Sequence, residues 1–290
     1  TIVHGHGAKG GAYARLLSLF CGVKSIYTPH GGSVHRMFGL AEETVYTAVE
    51  KALLRFTDYC LFESRYSADA YFAKVGREPK AWSVNHNGVP APDLPALEHA
   101  AAALKDLRDE EGLNIGVFGI LRPQKGQSVA LKAAAELVSR GLRFRMHFFG
   151  RGPDREALEA EAARLGLGGK AVFHGEADDP SPYMFLMDTV LIPSLFESFG
   201  YVAIEAFSIG RPVAAAATGG LREIIADGET GLLFAPGDPA AMAVALARLA
   251  DDPGLRRRLG DSGRSCFSGH FLESHMLDRA RAVYARPWRE

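Results

Sequence analysis

The chain has 290 residues, enough for two domains, and its 47% hydrophobic and 23% charged content is that of an ordinary globular protein. A formal net charge of −1 excludes the basic footprint of a nucleic-acid binder, and no run of 18 apolar residues reads as a membrane span. The three cysteines, Cys21, Cys60 and Cys266, are far apart and odd in number, which points to a reducing compartment rather than a disulfide framework.

In chain order, Thr1 to His6 reads as a strand, Gly7 to Gly11 as a glycine-rich turn and Ala12 to Phe20 as an apolar helix. The opening without Met, directly into a strand, leads us to expect an amino-terminal truncation and an incomplete first domain. Lys24 to Pro29 is the next strand, running into His30-Gly-Gly-Ser33. Residues 41–57 have helical spacing, Tyr59 to Phe62 form a strand, Ser67 to Lys74 a helix, and Trp82 to Val84 lead to an Asn87-Gly88 turn. Residues 90–111, with three prolines, an alanine run and a charged helix, read as a linker. A second series follows, with strands at 113–118, 144–149, 171–174, 189–192, 212–215 and 231–234 and helices at 128–139, 155–165 and 239–249. Strands alternating with helices imply parallel sheets. The expected class is α/β: two Rossmann-like domains facing across a cleft. The expected divisions are 1–107 (partial first domain with linker), 108–268 (second domain) and 269–290 (a helical tail packing back on the first domain).

The stretch that organises the second half is Pro193 to Val213. A turn carrying Glu197 and closed by Gly200 leads into Tyr201 to Ile209, a helix apolar almost all round. Such a helix is buried, yet Glu205 stands in its middle with no cation one turn away. A buried carboxylate needs a partner, either a base of the fold or a ligand rich in hydroxyls. Glu197, eight residues earlier, lies at the carboxyl end of a strand, where ligands bind in open α/β sheets.

Three further junctions deserve weighing. Gly119 to Gly126 follows a strand and opens a helix. Lys125, with Arg122 nearby, would oppose the helix dipole there unless an anion such as phosphate binds; a solvated lysine is the plain alternative. Phe149-Gly-Arg-Gly-Pro-Asp154 lacks the third glycine of a dinucleotide fingerprint and reads as a structural turn. Ala217 to Ile224 places paired glycines before a helix, as either a ligand approach or a tight turn. His30 ends a first-half strand beside two glycines; a lone histidine is more often structural, though this position raises the odds of function. No Asp-x-Asp pair lies at a strand end, so a metal–diphosphate site of that kind is not evident.

Taken together, the order of Gly119 to Gly126, Phe149 to Asp154, Phe173-His-Gly175, Pro193 to Gly200 with Glu205, Thr218 to Glu223 and Asp227 to Leu232 resembles the retaining glycosyltransferases of family 4, of GT-B fold. The Glu197–Glu205 spacing matches that family's E-x7-E motif, and Tyr27 to Gly31 and Asn87 to Val89 are similar to its first-half segments.

The resemblance implies that Arg122, Lys125 and Gly126 hold the donor diphosphate, with Lys125 neutralising the leaving group. It places Glu197 with Ser198, Phe199 and Gly200 on the donor sugar, and Glu205, His174 and Gly175 on the nucleotide. His30, Glu197 and Lys125 are the catalytic candidates. The expected donor is a nucleotide diphosphate sugar, UDP-sugar foremost, with no cofactor and no metal. The expected acceptor is a saccharide or glycolipid, in polysaccharide or glycolipid synthesis; nucleic acid is not a partner. The expected setting is cytoplasmic, with peripheral membrane contact as an option. Two departures stand out: Ile120 occupies the family's usual arginine position, for which Arg122 would substitute, and the opening glycine-rich segment is absent, so the fragment alone would be inactive. A nucleotide-sugar epimerase on the same fold and a non-catalytic nucleotide-sugar-binding module are the alternatives.

Overall fold

The computed structural model of the chain describes residues 1–30 and 40–288, with backbone alone for 40–42. The Gly31 to Ser33 part of the expected His30 segment therefore lies outside the described residues. The chain divides into two compact units, residues 1–88 with 273–290, and residues 89–272.

The first unit runs β1 (Ile2–His6), α1 (Gly7–Cys21), β2 (Lys24–Thr28), α2 (Leu40–Leu53), β3 (Tyr59–Phe62), α3 (Arg65–Val75) and β4 (Trp82–Val84). Its four strands form one parallel sheet in the order β1-β2-β3-β4. The expected turn at Gly7 to Gly11 is corrected: α1 starts at Gly7 itself. Of these glycines, Gly11 serves close packing within the helix rather than a turn. A Cβ on Gly11 would lie 2.1 Å from the Tyr27 ring, so only glycine lets the helix settle onto β2.

Beneath α1 lies a charge pair the sequence did not single out. Arg15 and Glu50 are 0% and 2% exposed and form a bidentate pair at 2.8 and 2.9 Å. The hydroxyl of Tyr71 donates to Glu50 at 2.9 Å, those of Tyr27 and Tyr46 at 3.3 Å, and the Arg15 guanidinium lies over the Tyr27 ring. Both charges are thus fully partnered, the condition for tolerating them in a core.

The second unit begins with residues 89–107. The helix expected within the linker is α4 (Leu94–Ala102), capped by the Asp93 side chain, and a 3-10 turn follows at Lys105–Leu107. Leu97 and Ala101 sink into this unit's core, which holds the segment in place. Then come β5 (Leu113–Phe118), α5 (Gln127–Ser139), β6 (Phe144–Phe149), α6 (Arg155–Arg164), β7 (Ala171–Gly175), α7 (Ser181–Leu186), β8 (Thr189–Ile192) and α8 (Tyr201–Ser208). β9 (Val213–Ala216), α9 (Leu221–Ile224), β10 (Leu232–Phe234), α10 (Pro239–Asp251) and α11 (Pro253–His270) complete it.

The six strands are parallel in the order β10-β9-β8-β5-β6-β7. Counted within the unit this is the doubly wound Rossmann order, whose direction reverses between the first strand, β5, and the fourth, β8. β8 and β9 are buried throughout, as strands covered by helices on both faces must be. Two hydrophobic clusters, one centred on β5, β6 and α5 and one on β8 and α8, cover the two faces.

The last helix, α12 (Glu273–Tyr284), belongs to the first unit. Arg279 donates to Asn85 Oδ1 at 2.9 Å and to the His86 carbonyl at 3.2 Å, and the Tyr284 hydroxyl meets His4 Nδ1 at 2.7 Å. Both units are Rossmann-like α/β, the GT-B class expected from the sequence. Among the described residues, no helix is long and apolar enough to cross a membrane.

Candidate active site

The reversal between β5 and β8 places two loops side by side at the carboxyl ends of these strands. Residues 119–126 leave β5 and residues 193–200 leave β8. They interlock at the backbone: Leu195 N–H donates to the Gln124 carbonyl at 2.8 Å. Gly126, at φ +71°, would put a Cβ 2.0 Å from the Pro193 carbonyl oxygen, so any side chain there would force the loops apart. The buried Gln127 side chain donates back to the Ile120 carbonyl at 3.0 Å and pins the first loop to α5.

On this platform Lys125 Nζ reaches Glu197 Oε2 at 2.7 Å, and Ser194 Oγ donates to the same oxygen at 3.3 Å. Lys125 ends the 3-10 turn Pro123–Lys125, and Glu197 lies in the loop before α8. Arg122 is exposed, and its side chain has no hydrogen-bond or ion-pair partner among the described residues.

The helices that start here share with α1 and α7 the lack of a side-chain cap and of an acid in the first turn, unlike four others of the chain. Side chains of Ser64, Asp93, Asp238 and Asp252 cap α3, α4, α10 and α11. α5 and α8 instead begin on Gly126 and Gly200, with no side-chain cap and no acid in the first turn. Their first backbone N–H groups and positive dipole ends suit an anion.

Glu205 lies one turn into α8, among the buried Ala203, Ile204, Ala206 and Phe207. It is half-buried rather than buried, and its carboxylate has no partner among the described residues. Desolvation raises its pKa above the usual carboxylate value. It lines a cavity of about 340 Å³ with Gly119, Ile120, Phe149, Gly150 and Val202. His174 and Gly175 end β7 and line a neighbouring cavity of about 320 Å³ with Phe149 and Tyr183. The Gly150 turn packs on backbone, Gly150 N–H donating to the Gly175 carbonyl at 2.7 Å and Leu121 N–H to the Arg151 carbonyl at 2.8 Å. That is the structural part the sequence assigned to it.

In the first unit His30 follows β2. Its Nδ1 is 3.0 Å from Glu63 Oε2 and its Nε2 is 3.2 Å from His6 Nδ1. An ionised carboxylate only accepts, so Nδ1–H of His30 donates to Glu63 and Nε2 is the acceptor for His6. His4 lies against His6 with ring centroids 4.2 Å apart and planes tilted by 32°, and binds Thr28 Oγ1 through Nε2 at 2.8 Å. Burial, with His6 and His30 alongside, pushes His4 down to about 4, and burial with His30 lowers His6. The sequence reading missed His4, His6 and Glu63. His4-x-His6 on one strand puts both rings on one face, which was the available signal.

The structure thus brings Lys125 and Glu197 into contact, interlocks the loops that carry them, and sets Glu205 and His174 on adjoining cavities; His30 belongs to the other unit. Residues 104–265 match the Glycosyl transferases group 1 family, and residues 1–88 match the Glycosyl transferase 4-like domain. The chain belongs to the group 1 glycosyltransferases. As a group 1 glycosyltransferase it catalyses sugar transfer from a nucleotide-sugar donor to an acceptor. It is 31% identical over 278 residues to 2-deoxystreptamine glucosyltransferase of Streptomyces kanamyceticus, covering 93% of this chain and 70% of that protein. It is 33% identical over 282 residues to D-inositol 3-phosphate glycosyltransferase of Acidothermus cellulolyticus, covering 89% and 61%. Among solved structures it is similar to Anabaena Alr3699/HepE in complex with UDP and glucose, with TM-score 0.86, 22% identity, and 98% and 78% of the two chains covered. It also resembles sucrose-phosphate synthase from Thermosynechococcus elongatus, with TM-score 0.83, 25% identity, and 98% and 73% covered.

Proposed function

We propose that this group 1 glycosyltransferase is a retaining enzyme of the family 4 type. It moves a sugar from a nucleoside diphosphate sugar, UDP-sugar foremost, to a hydroxyl of a saccharide or glycolipid. The observation that carries the reading is the pair of uncapped, acid-free helix starts at the β5/β8 reversal, with Lys125 between them. This is a ready anion site, and a diphosphate is the anion whose charge grows as the sugar leaves. Lys125, Arg122 and Gly126 are assigned to the diphosphate, and the reaction needs no metal in this reading.

Glu205 is assigned to the ribose. A carboxylate accepts two hydroxyl hydrogen bonds at once, which meets the need of an unpartnered, half-buried group. Glu197, with the backbone of Ser198, Phe199 and Gly200, is assigned to the donor sugar, and His174 and Gly175 to the base. In the first unit His30, oriented by Glu63, is assigned to a substrate hydroxyl. The complexes of Alr3699/HepE with UDP and UDP-glucose support the choice of base.

The experiment is product analysis with a panel of nucleoside diphosphate sugars and saccharide or glycolipid acceptors. Expected is nucleoside diphosphate release with the anomeric configuration kept in the product. An inverted product refutes retention. Conversion of the donor sugar without acceptor identifies an epimerase, and binding of the donor without turnover a binding module.

A further inference from the structure

His147, in the middle of β6, is wholly buried. Its Nδ1 lies 3.0 Å from His174 Nε2, while its own Nε2 is buried with no partner. The two rings are nearly parallel, 13° apart with centroids 5.2 Å apart, an arrangement compatible with an N–H···N bond. His174 reaches this position because the β6–β7 register slips between Phe148 and Phe149, a bulge that re-aims the side chain. Its ring also stacks on Phe149 at 4.5 Å.

The unpartnered nitrogen decides where the proton sits. Two neutral imidazoles share one proton along this contact. Were His174 the donor, His147 would keep its proton on Nε2 and bury an N–H with nothing to bond. Were His147 the donor through Nδ1–H, its Nε2 would be a bare lone pair. Orphaned buried N–H groups are the rarer of the two in folded proteins. His147 cannot evade the choice by ionising: burial, with His174, Arg145 and Arg108 around it, holds its pKa down to about 3.

We propose that His147 is a positioning residue for nucleotide recognition. By donating Nδ1–H to His174 Nε2 it places the His174 proton on Nδ1, so that His174 meets the base as a donor. This rests on the donor-site reading above. His174 Nδ1 has no partner among the described residues, and the ring lines the 320 Å³ cavity with the aromatic walls Phe149 and Tyr183. A planar heterocycle with a carbonyl acceptor, such as a pyrimidine base, fits that chemistry.

The test combines ring-nitrogen NMR with binding. In the ¹⁵N-histidine-labelled chain at neutral pH, His174 is expected to carry its proton on Nδ1, with Nε2 bare. His147→Leu is expected to weaken UDP about five- to tenfold, the worth of one neutral hydrogen bond. Ribose 5-diphosphate, which has no base, should bind it as it binds wild type. His147→Asn, whose amide nitrogen falls where Nδ1 sits, should restore most UDP affinity. The opposite tautomer in the wild type, or equal losses for both diphosphates, overturns the proposal while leaving the donor site standing. Failure of the wild type to bind either diphosphate sinks the donor-site reading and this proposal with it.

Discussion

Lys125 and Glu197 are 72 residues apart in sequence, yet their side chains meet at 2.7 Å across the interlocked loops that leave β5 and β8. The pair is only partly exposed, at 32% and 17%. The cation is thereby held at the start of α5, where the helix dipole alone would repel it. A diphosphate arriving there competes with Glu197 for Lys125, and this sets the sign of the first two predictions.

Lys125→Ala is expected to weaken nucleoside diphosphate binding by about 1.5–3 kcal/mol, the range of a charge-assisted hydrogen bond. Added salt should narrow the gap. Arg122, exposed and without a partner, should cost less on truncation. Calorimetry with UDP at two salt concentrations measures both; equal, large losses at the two positions would show that Arg122 carries the role of the Ile120 position.

Glu197→Gln frees Lys125 of its internal anion. Diphosphate binding is expected to hold or tighten, while turnover of the complete donor falls. Measuring UDP affinity and donor turnover on the same preparation separates the two. A Glu197→Gln protein that loses UDP binding would reverse the assignments of Glu197 and Glu205.

Glu205 has a raised pKa from burial alone. Folding therefore favours its protonated form. Its contribution to stability is present below the unfolded value and is lost as pH rises through the folded one. Glu205→Gln should raise the apo-protein Tm at pH 7 yet weaken both UDP and the nucleotide sugar. A mutant that is less stable at pH 7 and binds UDP normally would make Glu205 a structural residue.

Four histidines push stability the other way. His4 is held at about 4 and His147 at about 3, and His6 and His174 are lowered too. Burial leads in each case, so the fold keeps them neutral while the unfolded chain protonates them near 6.5. Their contribution is full above that value and is lost as pH falls through the range down to about 3. Calorimetric Tm is expected to drop between pH 7 and 5, with a shallower drop in His4→Gln. A Tm that rises on acidification contradicts this account.

The Arg15–Glu50 pair makes the stability prediction for the first unit. Removing one partner leaves a buried charge unpaired, so Arg15→Met should cost about 3–5 kcal/mol. The double substitution Arg15→Met with Glu50→Leu should cost less than the sum of the singles. Urea unfolding measures the cycle; strict additivity would mean the two groups do not support each other.

Periodicity made most of the second unit readable. The strands at 113–118, 144–149 and 189–192 coincide with β5, β6 and β8, because a parallel sheet covered on both faces writes itself as apolar runs. Glu205 stood out because it interrupts the apolar helix α8. What stayed hidden depends on long-range contact. The Lys125–Glu197 bond and the Arg15–Glu50 pair join residues that no local pattern links. The glycines at 7–11 look like a turn by propensity, and only the Tyr27 ring explains why the helix needs Gly11. His147 reads as one more residue of an apolar strand, and its meaning comes from the bulge that delivers His174.

The return of α12 to the first unit has a consequence for the order in which the chain is made. Residues 89–272 are contiguous, so the second unit has all its parts once Leu272 leaves the ribosome. The first unit, though synthesised first, must wait. Its Arg279–Asn85 and Tyr284–His4 bonds cannot form until the last helix emerges. Domains that fold as units normally finish from the amino terminus onward. Here the first unit has all its contacts only after α12 has emerged, later than the contiguous second unit.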